Sequence, residues 1–208
     1  GGAPAESPVK ALLSDRGLQI AVIASAGTVL AHGVHRTFLP PYLQQFQYPA
    51  TVIGLLFSLR ALVGFLIRPF MPSIAQRLGG RTRTLILMTL ATGLGLMANG
   101  VTQRLSLLVA AALLIGVGTG LAQPLTMVAM TENVPEQVRG FALGVRLTIN
   151  RLAQFLNPLL FGAIAEWAGI EPAFLAAGGL MVFSGWIMAR LRPPLAAGSR
   201  GAGVGLER

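Results

Sequence analysis

Six mostly apolar runs alternate with short polar connections along the chain: roughly Leu18 to Leu39, Thr51 to Met71, Thr84 to Val101, Leu105 to Met130, Gly140 to Ala165 and Ala173 to Ala189. A helix needs about 20 such residues to cross the hydrocarbon of a bilayer, so the pattern predicts an all-α membrane protein with six transmembrane helices. Glycine recurs inside the runs, as in "GTGLAQP" and "ATGLGLMANG". That is expected where helices must approach closely with no water to drive them together. Residues 1–16 and 193–208 are rich in Pro, Gly and Ala. They are expected to be a linker and a disordered tail around a single transmembrane domain, 17–192.

Polar residues inside the runs separate the helices by environment. At about 100° per residue, Ser25, Thr28, His32, His35 and Arg36 share one face of the first helix, and Thr119, Gln123 and Thr126 one face of the fourth. In the fifth, Arg146, Asn150, Gln154 and Asn157 fall within an arc of about 80°. The third run offers little beyond Asn99, and the sixth only Ser184. Helices one, four and five are therefore read as lining a wet cavity, and three and six as facing lipid, because an unsatisfied polar group in hydrocarbon costs several kcal/mol. Interhelical hydrogen bonding is the other use of such groups. It suits isolated Ser and Thr better than a stripe holding Arg, Asn and Gln.

Arg60 stands near the middle of "GLLFSLRALVGFLIRP". It lies about 14 Å from the start of its span at 1.5 Å per residue, beyond the roughly 6–7 Å that snorkelling covers. It is expected to face the cavity, meeting either an anionic substrate group or a carboxylate from a partner half. A hydrogen bond to backbone carbonyls within the bundle is the structural alternative.

Composition agrees with the membrane reading. Charged residues are 11% of the chain, against about 25% in a soluble domain, and mean hydropathy is +0.68. With no cysteine and two histidines, neither a disulfide framework, a metal site nor a cofactor is expected. The net charge of +9 is spread between the apolar runs rather than clustered with aromatics, so it reads as a topology signal and not as nucleic-acid binding. Six helices put both termini on one side. That side holds Lys10, Arg16, Arg77, Arg81, Arg83, Arg139, Arg190, Arg192, Arg200 and Arg208, and the other only Arg104. Both termini are therefore expected in the cytoplasm. No H-E-x-x-H, partnered G-x-S-G or Walker A loop supports an enzyme or an ATP-driven pump. "NPLL" at Asn157 is similar to half-helix channel motifs, but such a channel needs a second copy, and there is none.

Two short matches suggest an internal repeat. "GLLFSLR" (Gly54 to Arg60) pairs with "GFALGVR" (Gly140 to Arg146), and "PSIAQRLG" (Pro72 to Gly79) with "GAIAEWAG" (Gly162 to Gly169). The two offsets differ by about one helical turn. Three helices per copy invert the second copy, an arrangement found in transporters.

On three segments the chain resembles the C-terminal half of a major facilitator superfamily transporter. "RPFMPSIAQRLGGRTR" (Arg68 to Arg83) is similar to the second copy of the family's cytoplasmic signature, G-x-L-a-D-R-x-G-R-R. "VPEQVRGFALG" (Val134 to Gly144) is similar to the loop opening the eleventh helix, and "TFLPPYL" (Thr37 to Leu43) to the outer end of the seventh. The resemblance implies twelve helices in two six-helix halves, with a small organic solute bound between them and moved by alternating access. It also implies a gating loop around Arg77, Gly79 and Arg81. Pro72 stands where the signature has Gly and Gln76 where it has Asp, so no carboxylate-based gating pair is expected.

The expected function is secondary transport, with efflux and proton coupling favoured, in a cell membrane such as a bacterial inner membrane. An N-terminal six-helix half or a second copy of the chain would supply the other cavity wall. A half-size homodimer and a non-transporting scaffold subunit are the alternatives. His32 and His35 are the only groups well inside the spans that titrate near neutrality. They are read as wall residues, the coupling acid being expected in the other half.

Overall fold

The computed structural model describes residues 16–132 and 136–191. The expected linker and tail lie outside the described residues except for Arg16, as do Lys10, Arg192, Arg200 and Arg208 of the charge pattern and Val134 and Pro135 of the loop. The described chain is helical apart from short connections. Its helices are α1 Arg16–Gln45, α2 Ala50–Leu66, α3 Met71–Arg77, α4 Arg81–Val101, α5 Leu105–Glu132, α6 Glu136–Ala168 and α7 Ile170–Leu191. A single 3-10 turn, Arg68–Phe70, joins α2 to α3, so Ala50–Arg77 forms one apolar segment of 28 residues. Pro69 causes the break: it has no N–H to donate and disfavours the α conformation at Arg68.

The end of the first helix differs from the apolar pattern. The first run stops at Leu39, whereas α1 continues through Pro40 and Pro41 to Gln45. Phe38, Leu39, Tyr42 and Leu43 are all buried there, and that burial offsets the hydrogen bonds the prolines remove. Among the described residues, five segments are both long and apolar enough to cross a membrane. Helix α6, the longest at 33 residues, is not among them, because its polar stripe dilutes the apolar window.

The most extensive contacts join α4 to α7 and to α5; α2 lies on α5, and α1 on α6, α7 and α5. Two apolar clusters occupy opposite ends of the bundle. One gathers Val34 and Leu39 of α1, Leu56 of α2, Ile115 of α5, Phe161 of α6 and Phe174 of α7. The other gathers Ile20, Leu85, Leu121 and Met188 at the end where Arg77 and Arg81 also sit. The α3–α4 connection at this end is a Schellman motif: Gly80 N–H donates to the Ala75 carbonyl at 2.8 Å and Gly79 N–H to the Gln76 carbonyl at 3.1 Å. Gly79 takes φ +80°, and Gly169, between α6 and α7, takes φ +99°.

The reading of the third helix as lipid-facing needs correction, whereas the sixth, α7, does expose Leu175, Leu180, Phe183 and Trp186. Helix α4 buries Thr84, Thr89, Thr92 and Asn99 and exposes mainly the ridge Leu87, Leu94 and Val101. Thr89 and Thr92 hydroxyls each donate to their own helix, to the carbonyls of Leu85 and Met88, both at 2.8 Å. Satisfied internally, they sit in a dry helix contact instead of requiring water. The least covered segment is the one containing α2, with Leu55, Leu62, Phe65 and Leu66 all exposed.

Candidate functional site

Between the two apolar clusters lies a polar cavity of about 460 Å³, lined from four helices. Helix α1 contributes Val29, His32, Gly33, Arg36 and Thr37; α2 contributes Arg60; α5 contributes Gln123; α6 contributes Gln154, Asn157 and Pro158. The cavity thus unites six of the eleven residues singled out as cavity-lining from sequence: His32, Arg36, Arg60, Gln123, Gln154 and Asn157.

Close backbone crossings set these positions. A Cβ on Gly116 would lie 2.7 Å from the Arg60 carbonyl oxygen, and one on Gly120 would lie 2.6 Å from Gly64 Cα. Bare glycines therefore let α5 touch α2 at the height of Arg60. On the α1–α6 side, Asn157 Nδ2 donates to the Leu30 carbonyl at 2.8 Å. The Asn157 amide occupies the space a Cβ on Gly33 would need. Gly33 is thus the bare patch on α1 that admits the amide.

The cavity surface is rich in donors and strongly cationic. The Arg60 guanidinium lies 5.7 Å from the centre of the Phe57 ring, a cation–π contact, and its Nη1 is buried without a hydrogen-bond partner. Arg36 is exposed on the same cavity, close enough to act electrostatically on Arg60. His32 Nδ1 donates to the Thr28 carbonyl at 3.0 Å, which leaves Nε2 of the neutral ring as an acceptor. Gln154 Oε1 accepts from Arg151 Nη1 at 3.1 Å. Proline supplies further acceptors. Pro40, Pro41 and Pro158 lie inside helices and remove the donors that would pair with the carbonyls of Arg36, Thr37 and Gln154 four residues earlier. The described acidic side chains on these helices are remote: Glu166 is nine positions beyond Asn157, about 14 Å along α6. Among the described residues no group of three His, Asp or Glu side chains stands ready to hold a metal.

The structure places the other five elsewhere. His35 is buried against Phe57, its ring edge-on at 5.1 Å, with Nδ1 unpartnered. The Thr119 hydroxyl donates to the Ile115 carbonyl of its own helix at 2.7 Å. Thr126, Arg146 and Asn150 form a second cluster with Ser25. Arg146 donates from Nε to Ser25 Oγ at 3.0 Å and from Nη2 to Thr126 Oγ1 at 3.3 Å. Ser25 Oγ donates to Asn150 Oδ1 at 3.0 Å. Being one helical face is not enough to line one cavity: α6 is long enough to carry two sites, a bonded one at Arg146 and an open one at Gln154. Sequence reasoning passed over Val29, Gly33, Thr37 and Pro158. Their signal was position alone, one turn from His32 and Arg36 or beside Asn157.

In the loop singled out for gating, Arg77 is exposed at the end of α3, Arg81 opens α4, and Gly79 forms the turn between them. The Arg83 side chain folds back over Gly79, a contact the sequence did not suggest.

The family model described as Major Facilitator Superfamily matches residues 21–205. A relative named multi-drug resistance efflux pump PmrA homolog, from Lactococcus lactis, is 31% identical over 71% of this chain and 37% of its own length. The MFS-type transporter YhhS of Escherichia coli K12 is 29% identical over 83% of this chain and 41% of its own length. The chain thus spans about two fifths of the length of these relatives.

Proposed function

Because this chain belongs to the major facilitator superfamily, we propose that it is one six-helix half of a secondary transporter, moving a small organic solute by alternating access. The observation that carries this reading is the 460 Å³ polar cavity lined from α1, α2, α5 and α6. Its lining residues Arg36, Thr37, Gln123 and Gln154 are exposed, as fits one wall of a larger site completed by a second half. In this reading the helices form two inverted three-helix repeats. The packing of α2 on α5 has its counterpart in α6 on α1, and the matched glycines Gly79 and Gly169 both end helices with positive φ. The Arg-rich end, with Arg77, Arg81 and Arg83, faces the cytoplasm of a bacterial cell by the positive-inside rule. Efflux is the direction we assign, in line with the name of the Lactococcus relative, and proton coupling is our assignment for the driving force.

The test is transport by everted membrane vesicles across a panel of neutral, cationic and anionic fluorescent solutes. Vesicles with the complete two-half assembly should accumulate at least one solute, and a protonophore should abolish the accumulation. The chain alone, held as a monomer, should do so poorly. Robust transport by a demonstrated monomer would overturn the half-transporter reading. Activity from a dimer of this chain would replace the N-terminal half with a second copy, and protonophore-insensitive transport would remove proton coupling.

A further inference from the structure

We propose that the cavity takes an oxyanion, a carboxylate or phosphate group, between the guanidinium groups of Arg36 and Arg60; this rests on reading the cavity as the substrate site. Two permanent cations on separate helices line one cavity, and among the described residues neither has a carboxylate partner. Like charges held together inside a membrane protein repel, and an arginine at mid-bilayer costs about 3 kcal/mol or more unless it is compensated. Arg146 shows how this chain compensates an arginine internally, with Ser25 and Thr126 accepting its N–H groups. Arg60 has no such arrangement: its Nη1 is buried and unpartnered, although its positive face is held in place by Phe57. A guanidinium that lines the cavity without a protein acceptor can bind an oxyanion through the nitrogens it presents there.

The remaining lining suits the rest of such a molecule. Gln123, Gln154 and Asn157 supply neutral amides, while Val29 and Pro158 supply apolar surface. The ligand class is therefore a small organic acid or phosphate ester, not a cation. A carboxylate reaching in from the other half is the competing neutraliser. It predicts an occupied cavity that no added anion can enter.

The chain contains no cysteine, so with cysteines in the other half replaced, a single cysteine at the exposed position Thr37 reports on the cavity. In membranes containing the complete transporter, Thr37→Cys is labelled with a water-soluble maleimide in the presence of benzoate, phenyl phosphate or neutral benzamide. The proposal expects benzoate or phenyl phosphate, but not benzamide, to slow labelling; which of the two acts identifies the oxyanion. Adding Arg60→Gln should weaken that protection about 10-fold or more, the loss of one charge-assisted contact, while labelling itself persists. Arg60→Lys should lie between the two. Labelling that no probe slows, equal protection by benzamide, or benzoate protection surviving both Arg36→Gln and Arg60→Gln would each overturn the oxyanion site while leaving the cavity reading intact. Failure of the maleimide to reach position 37 from either side of the membrane would instead remove the cavity reading on which the proposal rests.

Discussion

Arg146 donates from Nε to the hydroxyl of Ser25 at 3.0 Å, and that hydroxyl donates onward to Asn150 at 3.0 Å, so one small side chain on α1 joins two positions on α6. The α1–α6 contact needs such a link, because α6 also carries the open polar residues of the cavity. Ser25→Ala would leave an Arg146 N–H and the buried Asn150 carbonyl oxygen without their partner. The expected loss is about 1–3 kcal/mol, read as a lower Tm in detergent. Ser25→Thr retains the hydroxyl and should keep most of the stability. Equal melting of wild type and Ser25→Ala would show that the link contributes nothing net.

Gly33→Ala should damage the site more than an added methyl normally would. The new Cβ claims the space of the Asn157 amide and breaks its bond to the Leu30 carbonyl, forcing α6 away from α1. Gly33→Ala combined with Asn157→Ala should recover part of the stability lost in Gly33→Ala alone, because the colliding group has gone. A double-mutant cycle in detergent measures this coupling, expected in the range of about 0.5–3 kcal/mol. Strict additivity would place the two residues out of contact.

Gly120→Val should separate α2 from α5. Its side chain would enter the space of the Gly64 backbone, which is not a flexible group that can step aside. Overpacking of this kind costs about 1–3 kcal/mol. The first functional consequence expected is a displaced Arg60, since Gly116, one turn earlier, meets the Arg60 carbonyl. Gly120→Val should melt lower than wild type in detergent; an unchanged Tm would show that the crossing tolerates the added side chain.

In the α3–α4 connection, Gly79→Ala and Arg77→Gln should have different consequences. Gly79 holds φ +80° beneath the Arg83 side chain, so alanine there strains the turn and lowers stability by about 1 kcal/mol. Arg77 is exposed, and replacing it should leave Tm unchanged. If the loop gates access, Arg77→Gln slows transport by the complete transporter with unchanged apparent substrate affinity. A change confined to affinity would assign Arg77 to substrate binding instead.

The sequence by itself determined what depends on composition along one axis. Apolar run length and the distribution of arginine were enough to state an all-helical membrane protein and its approximate spans, because bilayer thickness and the expense of buried polarity constrain every segment independently. It also singled out Arg60, whose depth ruled out snorkelling.

Tertiary structure alone decided which polar residues share a space. His35, Thr119 and Arg146 satisfy the same periodicity as His32, Gln123 and Gln154. Only the packing of neighbouring helices sends the first three into ring, backbone and side-chain contacts and the others into the cavity. A helical face is defined by angle, whereas a cavity is defined by where two neighbouring helices part, and that depends on the bare crossings at Gly33, Gly116 and Gly120. The burial of α4 was not legible for a related reason: its threonine hydroxyls bond to the carbonyl one turn back in their own helix. Their polarity therefore need not mark water, and the partner that decides the matter lies in the helix backbone, which every sequence shares.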